Sequence, residues 1–300
     1  MNSPARTTSL AFMAATVGIA TYAGMDVTMK GLALSLGAYN AMLWRSMITE
    51  VLAGLLYFWH RPKWPTNKVI RLHVWRGLII SVMAFLFFWG LKYLPVAEAI
   101  GLSFIAPLIA LYLAAAILNE QISRQALVAS FIGLVGATII VLGKLGGEYD
   151  EETGQGIAAI LLSALLYAYN LILQRQQALV AEPVEIAFFH NSTVVFLFSC
   201  LSPFFAVLPS SAYIPQFTLA AVLGLVSLLM MSWAYARAPA NKLIPVEYTA
   251  FIWAIILGWL VFGETVTLTT VFGTVLIVCG CLVAAMQKNA VVDHVETTAV

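Results

Sequence analysis

The sequence predicts an all-α polytopic membrane protein of ten transmembrane helices, arranged as two inverted repeats of five. Three observations carry that expectation. Of the 300 residues, 62% are hydrophobic and only 10% charged, where a soluble domain has about 25% charged residues. The mean hydropathy is +0.93, and the apolar residues fall in runs of about 20, the length that crosses a bilayer core at about 1.5 Å per residue. The third observation is an offset of 144 residues that lays the middle of one half over the middle of the other.

Taken in chain order, the runs lie at about 9–30, 38–59, 75–93, 96–117, 125–143, 155–177, 184–207, 217–235, 240–262 and 267–286. The first is longer than the apolar core of a signal peptide, about 7–15 residues, and is read as a retained span. Nearly all linkers are short, so consecutive helices are expected to be antiparallel neighbours. The two longest linkers, HRPKWPTNKVIRLHV and KLGGEYDEETGQG, orient the chain. With the N-terminus inside, cytoplasmic segments collect Arg6, Arg61, Lys63, Lys68, Arg71, Arg76, Arg124, Arg175, Arg237, Lys242 and Lys288, and outer ones only Lys30, Lys92 and Lys144. The positive-inside rule then places both termini in the cytoplasm. The expected units are 1–150 and 151–287, one five-helix repeat each, followed by a polar tail, 288–300.

At the 144-residue offset Trp89 meets Trp233, Pro95 meets Pro239, Glu120 meets Glu264 and Gly136 meets Gly280. The fourth and ninth runs correspond, an odd number of crossings apart, so they traverse the membrane in opposite senses. Two such halves are related by a pseudo-two-fold axis in the membrane plane, the layout of secondary transporters with substrate bound near the midplane. Glu120 and Glu264 are each followed three residues later by a hydroxyl, Ser123 or Thr267, suited to N-cap the next helix. Both glutamates are therefore read as structural.

Ten spans in a 5+5 arrangement, with SFIAPLIALYLAAAILNE in the first half and YTAFIWAIILGWLVFGE in the second, resemble the drug/metabolite transporter superfamily, EamA type. Arg45, in AMLWRSMITE, sits where that family usually has an arginine. The resemblance covers the chain up to about Gln287. It implies alternating-access transport of a small organic metabolite across a bacterial-type inner membrane, and among members it points to exporters of amino acids, of broad specificity and including aromatic ones. The family's mid-helix proline is present as Pro107, but its counterpart is Phe251, with Pro245 instead in the second half. The two halves therefore need not bend alike.

Charged groups in spans cost about 2.5–3.5 kcal/mol each on insertion scales and need a reason. Asp26 and Lys30 are four apart, acid before base, and Arg45 lies at similar depth on the next run; a structural pair near the outer interface and a place in the substrate pathway both fit. Glu50 suits an interhelical hydrogen bond. Ser163, Tyr167, Asn170 and Gln174 recur on one helical stripe, which either lines a cavity or bonds a neighbouring helix. Tyr22, Ser81, Phe85, Ser103, His190, Trp233 and Tyr248 complete the cavity candidates, an aromatic and sparsely polar set suited to a small amphipathic solute. Glu247 has no acidic twin. It lies near the cytoplasmic surface if the ninth helix starts at Pro245, and turns into the cavity if the helix starts near Ala240 and kinks at that proline.

The same residues narrow the function. A net charge of +1 offers no nucleic-acid footprint. No Walker A motif, zinc-protease motif, nucleophile elbow or histidine cluster occurs, so neither ATP drive nor catalysis is expected, and no cofactor or metal. Cys200, Cys279 and Cys281 read as packing residues. The expected partners are the bilayer and a small-molecule substrate, with the chain acting as a monomer. A transporter of another metabolite, such as a vitamin, nucleoside or drug, is the alternative; an intramembrane enzyme would need reactive groups, and a scaffold would not need the repeat.

Overall fold

The computed structural model describes residues 4–60, 64–118, 124–145, 151–235, 237, 243 and 246–285. Ten helices in chain order make up the described fold: α1 Pro4–His60, α2 Asn67–Gly90, α3 Val96–Ser103, α4 Ala106–Leu118, α5 Arg124–Leu145, α6 Glu151–Ala178, α7 Pro183–Phe205, α8 Ile214–Tyr235, α9 Ala250–Phe262 and α10 Leu268–Ala285. Five stretches are long and apolar enough to cross a membrane: Leu10–His60, Asn67–Gly90, Glu151–Gln174, Pro183–Phe205 and Ser211–Tyr235. Large apolar side chains such as Phe58, Phe131, Phe196, Trp259 and Phe272 face outward, as they must where the surroundings are lipid. The protein is a multi-pass membrane protein.

Several boundaries differ from the sequence reading. The first two runs form the single stretch α1, which turns at Gly37 without a polar loop. Its φ of 80° and ψ of 152° are open to glycine at little cost, so the change of direction takes one residue. α2 starts at Asn67, about eight residues before the apolar run, because Thr66 leaves an extended segment there. The fourth run is two helices, α3 and α4, separated by a turn at Phe104–Ile105. Glu120 and Pro245 lie outside the described residues.

The turn in the fourth run has a counterpart. In the second half Val246 and Glu247 are helical, Tyr248–Thr249 form a turn, and α9 begins at Ala250. The turns stand 144 residues apart, and so do their hydrogen bonds. Leu108 N and Ile109 N both donate to Ile105 O at 3.1 Å, while Ile252 N and Trp253 N donate to Thr249 O at 3.0 and 3.2 Å. The two halves thus break at matching positions. Pro107 sits just inside α4, where a missing N–H costs little, and Phe251 at its counterpart does not prevent the same break. Thr249 Oγ1 donates to Val246 O at 2.6 Å, a local bond that competes with the helical ladder.

Glycine contacts show the same exchange. A Cβ on Gly136 would come within 2.4 Å of Gly273 O and 3.0 Å of Ile277 N; one on Gly280 would come within 2.6 Å of Ala129 O and 3.1 Å of Gly133 N. Positions 273 and 277 become 129 and 133 at the 144-residue offset. α5 and α10 therefore pack backbone to backbone through contacts that the two halves share. Because 129 faces 280 while 136 faces 273, the helices run antiparallel, and a two-fold that swaps them lies across their axes. Phe104 and Tyr248, themselves 144 apart, meet edge-on with ring centres 5.1 Å apart, so this axis passes between the two turns.

Candidate functional site

Tyr22, Asp26 and Arg45 of α1 stand within electrostatic range of one another, and Arg45 also within range of His190 of α7. Tyr22 keeps 44% of its surface accessible. Tyr167 stands within electrostatic range of Glu247, Tyr22, Arg76 and Asp26, and His190 within range of Arg76, Arg45 and His73. Glu247 is half-buried and accepts a hydrogen bond from Tyr235. The break at Tyr248–Thr249 follows it directly.

Asp26 and Arg45 are brought together, but in this interior group and without a direct ion pair. Asp26 is 1% exposed with its Oδ1 lacking any partner among the described residues, as is Arg45 Nε. Arg45 Nη1 contacts Met25 Sδ at 3.5 Å. Lys30, expected beside Asp26, instead pairs with Glu264 and donates to Leu94 O at 2.6 Å. The other oxygen of Glu264 accepts Val96 N at 2.8 Å, at the start of α3. Glu264 therefore makes a long-range contact as well as sitting at the local turn. That turn exists too: Gly263 at φ 67° ends α9 in the left-handed conformation, with Gly263 N donating to Trp259 O and Glu264 N to Gly258 O, the first of these being the bond of an αL C-cap. Thr267 Oγ1 accepts Thr270 N at 3.2 Å as an N-cap.

The α6 stripe is largely bonded to α2. Ser163 Oγ donates to Met83 O at 2.9 Å. Arg76 donates through Nε to Asn170 Oδ1 at 2.9 Å, through Nη2 to Gln174 Oε1 at 3.3 Å, and through Nη1 to Gln177 Oε1. Gln177 joins His73 Nδ1, and His73 Nε2 lies 3.0 Å from Glu185 Oε1. Arg76 is 4% exposed, so it is not the loop charge that the orientation count assumed; one turn of α2 carries it and His73 into the bundle. Tyr167 is the member of the stripe within electrostatic range of Tyr22, Asp26 and Glu247. Arg76, His73, Gln177 and Glu185 were missed, although Gln177 continues the Asn170–Gln174 spacing and His73 stands three residues before Arg76.

The remaining candidates are less free. Ser81 Oγ donates to Gly77 O at 2.7 Å and Ser103 Oγ to Ala99 O at 2.8 Å, each spending its hydroxyl on its own helix. Phe85 packs against the main core. Trp233 lies under Arg237 at 4.2 Å. Glu50 accepts from Asn191 Nδ2 at 3.0 Å and Ser192 Oγ at 2.6 Å, the interhelical role expected of it. Among the described residues no group of three metal-ligating side chains occurs.

The arrangement, two broken helices meeting at a pseudo-two-fold axis beside a polar interior, is that of a membrane transporter. The sequence profile of the EamA-like transporter family matches residues 9–142 and again 154–286. This chain belongs to the EamA-like transporter family. The double match also makes the halves two copies of one unit. Relatives include an uncharacterized transporter of Helicobacter pylori, 27% identical over 70% of this chain and 72% of that protein. The S-adenosylmethionine uptake transporter of Rickettsia prowazekii is 25% identical over 84% of each chain. The pseudopaline exporter CntI of Pseudomonas aeruginosa is 25% identical over 90% of this chain and 93% of its own. A crystal structure of a further protein superposes with a TM-score of 0.62 at 19% identity, covering 92% of this chain and 96% of the other, and shares the fold. The relatives that carry a named cargo handle two different ones and in opposite directions, so an amino-acid exporter is not what these likenesses single out.

Proposed function

We propose that this EamA-like transporter moves a small zwitterionic metabolite by alternating access, through the cavity between the two helix breaks. Ten spans as two inverted five-helix units, 1–150 and 151–287, with both termini cytoplasmic, is the topology proposed with it. One observation carries the cargo reading. Asp26 and Arg45 stand close to one another in the interior without pairing directly, next to Glu247 and the tyrosines Tyr22 and Tyr167. Burying charges without partners is costly, and a cavity with both signs on its walls suits a ligand with both signs on one small body. Tyr22, Tyr167, His190 and Tyr248 would hold the rest of it by ring faces and hydroxyls.

Amino-acid export is the specific form of this proposal, and uptake or export of a larger amino-acid-like metabolite is its alternative. Counterflow in proteoliposomes with labelled amino acids and S-adenosylmethionine, alongside a nucleoside and an organic cation as controls, tests both. Saturable flux of a zwitterion, reduced at least tenfold by Asp26→Asn and by Arg45→Gln, is expected. Flux of the nucleoside or the cation with none of any zwitterion would reject the cargo class.

A further inference from the structure

The chain of side chains from Arg76 to Glu185 has only one consistent assignment of hydrogens. A guanidinium donates and never accepts, so the atom of Gln177 facing Arg76 is its oxygen. The other end of that amide, Nε2, is a donor and faces His73 Nδ1. Nδ1 must then be the bare, accepting nitrogen. The ring hydrogen sits on Nε2 and is donated to Glu185 Oε1 at 3.0 Å. His73 is held neutral, in one tautomer, by a bond pattern that begins at Arg76 on its own helix.

A proton added at Nδ1 reverses that pattern. Nδ1 becomes a donor opposite the Gln177 NH2, and two donors cannot bond. Turning the amide restores the contact with His73 but sets its NH2 against the guanidinium, where again two donors meet. Gln177 can satisfy Arg76 or a doubly protonated His73, not both. Phe189 stacks on the ring at 5.3 Å and 13°, and His73 is 0% exposed, so no open water surface lies beside the ring to relieve the conflict.

We propose that His73 is a proton-binding site whose occupation turns Gln177 and frees the Nη1 arm of Arg76 for the cavity. The charged and titratable groups around the site are Glu185 and His190 from α7, Arg76 from α2, and Tyr57 from α1, which lies within range of Glu185. Arg76 already stands within range of Tyr167 on the cavity wall. A freed guanidinium arm there gives an anionic group of a ligand a directional partner, so acid on the His73 side strengthens binding of that group. The latch follows from the bond pattern alone; only its use by a cargo rests on the transport reading.

Nitrogen NMR on protein labelled at histidine and arginine, held in lipid nanodiscs between pH 5 and 9, tests it. His73 and Arg76 are assigned by loss of signal in His73→Asn and Arg76→Lys. At high pH His73 should show a bare Nδ1 and a protonated Nε2, and the Arg76 side-chain resonance should shift with the same midpoint as His73. Gln177→Glu offers an acceptor to both neighbours, so His73 should take its second proton at a pH at least about one unit higher and Arg76 should cease to follow. A proton on Nδ1 at high pH, a His73 that never titrates in this range, or an Arg76 signal indifferent to His73 would overturn the latch. The wild-type titration decides even if Gln177→Glu does not fold. Absent flux with a working latch would count against the transport reading alone.

Discussion

An ammonium 5% exposed inside a membrane bundle needs acceptors, and Lys30 draws them from both halves of the chain: Leu94 O from the first and Glu264 from the second. Glu264 in turn serves Val96 N, so one carboxylate holds a cation and the first turn of α3. Removing one member of a buried pair strands the other, at about 3–5 kcal/mol. Glu264→Ala and Lys30→Met should each lower the thermal unfolding midpoint in detergent strongly. The double variant should recover part of the Glu264→Ala loss, because the buried ammonium goes together with its carboxylate; a double loss equal to the sum of the singles would mean that the pair contributes no coupling. Asp26 and Arg45 are the opposite case. Neither has a direct ionic partner to strand, so Asp26→Asn, which removes a buried unpartnered charge, should leave the unfolding midpoint at or above that of wild type while abolishing most of the proposed flux.

Helices in this fold are fitted to one another by glycine, and the fit is repeated in both halves. Adding a methyl to Gly136 would drive it into Gly273 O at 2.4 Å, and to Gly280 into Ala129 O at 2.6 Å; backbone cannot give way as a side-chain tip can. Gly136→Ala and Gly280→Ala should therefore each cost about 1–3 kcal/mol in thermal unfolding, and by similar amounts. Gly31→Ala, whose nearest neighbour would be Phe262 at 3.9 Å, should be neutral or slightly stabilising, since alanine is the better helix former. The glycine match was legible at the offset, as were the apolar runs, because both are local in sequence. The break at Phe104–Ile105 was not, since hydropathy is blind to a two-residue turn inside an apolar run and proline is not its common cause. The site was half legible. Asn170 and Gln174 stand out as polar residues in an apolar stripe, but their partner Arg76 looked like a linker charge, because only the fold shows that α2 starts eight residues earlier and carries it inside.

At the scale of the whole molecule, exchange of the halves reverses direction, so points 144 residues apart must emerge on opposite faces of the membrane. The segments Trp64–Thr66 and Leu208–Ser210 are such a pair. Both are extended, each carries a proline in the middle (Pro65 and Pro209), and each ends in a hydroxyl residue that precedes a helix. Trp64 and Leu208 are 66% and 86% exposed, so a probe can reach the segments from their own side. In a variant lacking Cys200, Cys279 and Cys281, with serine at 281 to keep a donor for Phe104 O, a single cysteine is placed at Thr66 or at Ser210. A maleimide that cannot cross membranes should label Ser210→Cys in intact cells and Thr66→Cys only after lysis, given the basic residues around position 66. The reverse pattern would invert the orientation and leave the symmetry standing. Labelling of both from the same side would break the symmetry itself, and with it the argument that two equivalent packings of one unit supply the inward-open and outward-open states.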